Sequence, residues 1–325
     1  LRALGILLAC TLAAGCGGGG GGSDEAAPLA TATATPMATL TPDPSPTASQ
    51  VPDPAPVALA AGSNRVLRSD DGGFTWLTEP ELTVGDSIDF VDTQVGWVAG
   101  STGSGGELRH TTDGGRTWRR EGAELGVSPP PFFLDVDAID ERRAVIAGSD
   151  GDLLSPDWHR GPPAIFFTHD AGATWRRAEL RGLYVSALRE VTLTSICVTE
   201  AGHGLAFGGD FTNFTDAVLL LTHDAGTTWS VLRPAPSTSL SVRVDCAGER
   251  DLWIADAGNG LFHSTDAGTT WHDLGGKLPD GSPIALDFDG VSEGSLLTFS
   301  YATNTLTLLR TSDAGQNWTS HTVPA

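Results

Sequence analysis

Lysine is almost absent from this chain. Among 325 residues only Lys277 carries an ammonium side chain, and 19 basic residues stand against 40 acidic ones. The resulting net charge of −21 repels phosphate backbones, so general nucleic-acid binding is excluded. It also leaves no polybasic patch for anionic lipid headgroups. Metal motifs are missing as well: there is no H-E-x-x-H and no pair of C-x-x-C segments. The acidic stretches DVDAID (135–140) and SDGD (149–152) lack the ligand spacing of an EF-hand and read as solvated acidic loops. Neither a metal nor a cofactor is expected. Apolar runs long enough to cross a bilayer as a helix are lacking too, since ALGILLACTLAAG (3–15) has only thirteen residues.

That short run has a different use. It follows Arg2 and ends in LAAGC, with small residues before Cys16, which suits the apolar core of a secretory signal. The ending resembles a bacterial lipobox, which implies lipidation of Cys16, although Ala13 stands where leucine is usual. Residues 1–16 are thus expected to be a lipoprotein signal. Residues 17–56, six glycines followed by a Pro/Thr/Ala-rich stretch, cannot bury a core and are expected to form a tether. Its reach is on the order of 100 Å where proline keeps it extended. Export also permits a disulfide between Cys197 and Cys246, with two buried free thiols as the other reading.

The remainder, 57–325, repeats itself. The pattern S/T-x-D-x-G-x-T-W occurs at 69–76, 111–118, 168–175, 222–229, 264–271 and 311–318, with Asn317 replacing the threonine in the last copy. Its aspartates, Asp71, Asp113, Asp170, Asp224, Asp266 and Asp313, lie 42, 57, 54, 42 and 47 residues apart. A four-stranded propeller blade needs about 40–45 residues. Short apolar segments precede each copy, and segments such as GWVAG (96–100) and SIDFVD (87–92) lie further upstream. Together with the strand that each tryptophan opens, they make four strands per unit. Forty-one glycines and 20 prolines fit such a turn-rich, all-β chain. Each octet reads as a hairpin turn. Gly73, Gly115, Gly172, Gly226, Gly268 and Gly315 supply the positive φ, the aspartate holds the turn, and Trp76, Trp118, Trp175, Trp229, Trp271 and Trp318 pack between blades.

These octets resemble Asp-boxes, also called BNR repeats, and the resemblance spans nearly all of 57–325. GWVAG followed by TTDGGRTW is most similar to the photosystem II assembly and stability factor propellers. The resemblance implies an all-β propeller of six four-stranded blades, with a seventh left open, and Asp-box turns on the face away from the functional one. It also implies a non-catalytic protein that binds a partner, with a protein or a glycan as the ligand. Sialidases and other glycoside hydrolases carry the same repeat and are the alternative. Sialidase chemistry needs an arginine cluster and a tyrosine nucleophile with a glutamate helper. Only Tyr184 and Tyr301 are present, and Arg119, Arg120, Arg176 and Arg177 fall on outer strands.

His169–Asp170 and His223–Asp224 invite a catalytic reading. The histidines, however, occupy a position that Thr112, Thr265 or Ser312 fills elsewhere, which makes them turn-surface residues. Extra length is more informative. It falls at 149–163 and 208–217, between second and third strands, and at 121–133 and 178–188, between blades. All of these segments are expected on the face opposite the Asp-boxes. They carry Phe132, Phe133, Trp158, His159, Arg160, Tyr184, Phe211, Asn213 and Phe214, a set that reads equally as a recognition surface or as loop packing. The expected whole is a lipid-anchored extracytoplasmic propeller.

Overall fold

A computed structural model describes residues 6–7, 58–62, 65–69, 75, 77–78, 82, 85–102, 105–121, 131–150, 161–182, 191–210, 215–237, 239–274 and 281–324. Within them the chain forms six sheets in sequence order, each an up-and-down meander, which is the blade topology of a propeller. Five blades are complete from contiguous chain. Their inner strands are Ser87–Phe90, Phe132–Ala138, Thr192–Val198, Val242–Ala247 and Ser282–Asp289. Outward from these come Gly96–Thr102, Ala144–Ser149, Gly204–Asp210, Asp251–Asp256 and Glu293–Ser300 as second strands. The first sheet has three contiguous strands, Ala58–Gly62, Arg65–Ser69 and Leu77–Thr78. Its inner position is taken by Ile6–Leu7, paired antiparallel to Ala61 and Gly62 and lying against Ser282–Asp289 of the last blade. No sequence pattern marked that pairing, because the residues immediately before Ala58 are rich in proline.

Apolar side chains fill the spaces between blades. Trp229 packs with Val145, Ile165 and Leu193, and Trp175 packs with Trp97, Leu108 and Phe166. Among the described residues each box tryptophan thus seals its own blade against the preceding one, as the burial of Trp118 beside Val66 and Val98 also illustrates. A covalent tie crosses one such seam: Cys197 and Cys246 form a disulfide between the inner strands of the fourth and fifth blades, with their Cα atoms 5.6 Å apart. The fourth blade carries a fifth strand, Glu179–Arg181, which leaves the third blade and pairs in parallel with Thr228–Val231.

Strand register separates the two faces. In the third blade Ala144 pairs with Thr168, at the Asp-box end, whereas Ser149 pairs with Pro163 and Phe132 at the other. In the fourth, Gly204 pairs with Thr222 at the box end and Asp210 with Thr215 at the other. The residues flanking 151–160 and 211–214 therefore lie on the face opposite the boxes.

Candidate functional site on the loop face and in the channel

The five boxes within the described residues share one hydrogen-bonded turn. In the third blade Thr168 Oγ1 donates to Asp170 Oδ1 at 2.9 Å, and Gly172 N donates to Thr168 Oγ1 at 3.0 Å. Thr174 closes the turn, its N donating to Asp170 Oδ1 at 2.8 Å and its hydroxyl to Oδ2 at 2.7 Å. Asn317 reproduces that last bond through Nδ2, at 2.7 Å from Asp313 Oδ2, so the replacement keeps the turn. Bonds donated by Thr117, first through its backbone and then through its hydroxyl, hold Asp113 down to about 2, and Thr270 does the same for Asp266, also to about 2. These carboxylates are acceptors saturated by their own turn, and catalysis has no use for them in that state. His169 and His223 are exposed. His223 Nδ1 meets His203 Nδ1 at 2.9 Å rather than meeting its neighbouring aspartate. The first box, with Asp71, Gly73 and Trp76, lies outside the described residues.

A different set of aspartates lines the axial channel. Alternation along the inner strands turns Asp89, Asp135, Asp137, Asp245 and Asp287 toward the axis, while Ile88, Val136, Val244 and Phe288 go to the core. An inner strand has no neighbour on its axial edge, so its N–H groups on that side need other acceptors. The preceding blade supplies them. Asp89 accepts from Ala138 N at 2.7 Å, Asp135 from Ile196 N at 2.8 Å and Asp137 from Val198 N at 2.9 Å. Asp245 accepts from Phe288 N at 2.6 Å, and Ser195 takes the equivalent place with Val244 N at 3.2 Å. Ser87 Oγ likewise accepts from Val136 N at 3.2 Å, so carboxylates and two hydroxyls stitch five blades in sequence. Burial is the main force on their acidity. It raises Asp135 to about 6. Asp287, whose side chain reaches solvent, is also raised to about 6, by partial desolvation with Asp89 and Asp289 beside it. Burial, with Asp89 beside Asp137 and Asp287 beside Asp245, lifts Asp137 and Asp245 well above the ordinary range. The reading of DVDAID as a solvated loop is therefore corrected: Asp135 and Asp137 belong to an inner strand.

Arg243 is a cation enclosed in this channel. Its Nε donates to Ile284 O at 3.0 Å and its Nη1 to Val242 O at 2.9 Å. Burial lowers its affinity for the proton, while the charge of Asp135 and the nearby Tyr301 phenol oppose that shift. Tyr301 sits in the turn that joins Ser300 to Thr305, at the end of the last blade away from its box, and is 71% exposed. The sequence drew no attention to it as a surface residue, because a single tyrosine in a loop carries no pattern. On the same face Asp256 accepts from Ser237 and from Gly258 N, the latter at 2.7 Å, which fixes the 257–259 turn.

Of the residues assigned to the loop face, Phe132 and Phe133 are corrected. They begin the third blade's inner strand and are 4% and 1% exposed, with Phe133 packed against Phe166. Their position after SPPP resembles a loop, but Gly148 leaves room for the Phe132 backbone and Gly106 for the Phe133 ring, so the chain turns inward there. Trp158, His159, Arg160, Tyr184, Phe211, Asn213 and Phe214 lie outside the described residues. So do Cys16 and the tether. Among the described residues no group of three or more His, Cys, Asp or Glu side chains is arranged to hold a metal ion.

Comparison with known proteins agrees with this architecture. The family described as Photosynthesis system II assembly factor YCF48 matches residues 183–325. The chain is a β-propeller, and its residues 183–325, less than half of its length, are similar to that family. A curated relative, the Photosystem II assembly lipoprotein Ycf48 of Synechococcus sp. (strain CC9902), is 33% identical over 122 residues. That match covers 35% of this chain and 31% of the relative, so it spans about a third of the relative's length. Among solved structures, YCF48 bound to D1 peptide superposes with a TM-score of 0.53 at 18% identity, covering 81% of this propeller chain and 77% of that one. The GH74 xyloglucanase from Xanthomonas campestris gives 0.52 at 16% identity, over 82% of this chain and 43% of the enzyme. At such identities both establish the shared fold alone.

Proposed function

We propose that the chain is a non-catalytic, lipid-anchored extracytoplasmic propeller that binds a protein partner on its loop face and helps to assemble or stabilise an envelope complex. The observation that carries this reading is the match of residues 183–325 to the assembly-factor family. It is supported by the curated relative's description as an assembly lipoprotein and by the fold neighbour solved with a D1 peptide, which favours a protein ligand over a glycan. In this reading residues 1–16 are the signal, Cys16 takes the lipid, 17–56 span the gap from the membrane, and 57–325 form the binding domain. Trp158, His159, Arg160, Tyr184, Phe211, Asn213 and Phe214, joined by the exposed Tyr301, make up the recognition surface. Aromatic and arginine side chains supply large contact area and directed hydrogen bonds, which suits them to this task.

Two experiments test it. Cys16→Ser is expected to move the protein from the membrane fraction to the soluble one; retention on membranes contradicts the anchor. A screen of fluorogenic sialosides and glucosides is expected to show no turnover above background, and robust hydrolysis would replace this reading with a glycoside hydrolase.

A further inference from the structure

The first blade obtains its inner strand from a segment that does not last if the anchor is made as proposed above. Ile6–Leu7 pairs antiparallel with Ala61 and Gly62 and lies against the last blade's inner strand, so it joins the two ends of the ring. Ile6 and Leu7 fall within the apolar core of the expected signal, and cleavage before Cys16 removes them. Ala58–Gly62 would then have Arg65–Ser69 on one side and nothing on the other. Each of the other five blades has a full-length inner strand at this position.

We infer that in the processed protein the axial edge of Ala58–Gly62 is an acceptor site for an extended, apolar, proline-free segment of a partner protein, bound by β-strand addition. This inference rests on the signal reading and deepens the proposal of a protein ligand. Three observations carry it. First, a strand is seated there in the structure, which establishes the antiparallel register that the edge accepts. Second, an unpaired edge beside the channel leaves backbone donors and acceptors without partners, and strand addition is the known physical remedy. Third, the chain has a poor substitute of its own. In the complete blades the inner strand directly precedes the second strand, and here that stretch reads VPDPAPV, with Pro52, Pro54 and Pro56 at alternate positions. Proline lacks the N–H that a ladder needs. A bound segment would also bridge the first and last blades, so binding and ring closure are linked.

The test uses the full processed chain purified from membranes, with intact mass recording whether residues 1–15 are gone. The probe is the synthetic peptide ALGILLA, residues 3–9, with its I6P version as control. Hydrogen exchange at residues 58–62 is expected to be fast in the processed chain. Saturating peptide should slow it by at least about tenfold and raise the melting temperature by several degrees, and the I6P peptide should do neither. Slow exchange before any peptide is added means that the chain fills its own edge, and this overturns the inference. Absence of any response to ALGILLA overturns it as well. A mass that retains residues 1–15 identifies the failure with the signal reading itself and removes the vacancy with it.

Discussion

Gly226 illustrates how much a single box position carries. Its φ is +81°, and an added Cβ would stand 2.5 Å from Val145 Cγ1 of the preceding blade. Gly226→Ala is expected to cost about 1–3 kcal/mol, from backbone strain and overpacking together. Asn317→Thr, which restores the common box residue, should leave the unfolding midpoint within experimental error. Chemical denaturation of the two variants checks the contrast. The channel carboxylates make an opposite prediction about charge. Folding favours the protonated form of any carboxyl whose native pKa lies above its free value. Asp135 and Asp287, raised to about 6, therefore contribute stability below about pH 4 that is lost as the pH rises through about 6. Asp113 and Asp266, held at about 2, contribute in the reverse sense, and their share is lost only as the pH falls from about 4 through about 2. The melting temperature should accordingly decline between pH 5 and 7. Asp287→Asn, which removes a charge facing Asp89 and Asp289, should raise it at pH 7 and flatten that decline. A steeper decline in the variant would contradict the assignment.

Elements differ in how plainly they are written in the chain. Box turns were legible because the bonds that hold each box aspartate's side chain join residues within four positions, as Thr174 to Asp170 does. Third strands were legible as apolar runs just before each box. The carboxylate stitches were not, since Asp135 and Asp137 meet acceptor-seeking N–H groups 61 residues away. Nothing local distinguishes such an aspartate from a solvated one. Phe132 and Phe133 failed for a similar reason: the proline run before them marks a loop, but burial against another strand decides their role. The inner-strand disulfide is the element-scale device with the clearest energetic consequence. It closes 49 residues of chain across a blade seam. Removing it, by reduction or by Cys197→Ala with Cys246→Ala, should cost about 2–4 kcal/mol. Comparison of unfolding midpoints with and without reductant measures this directly.

At the scale of the whole molecule the repeat makes the two faces unequal. One carries turns saturated by their own hydrogen bonds, and the other carries Tyr301, the channel mouth with Arg243, and the ends of the strands that flank 151–160 and 211–214. Site-specific photo-crosslinking in cells tests the claim that partner binding belongs to the loop face most directly. One photoreactive residue replaces Tyr301 on the loop face, and another replaces the exposed Ala173 within the third box. A discrete protein adduct is expected from position 301 and none from position 173. An adduct from 173 with none from 301 would contradict it.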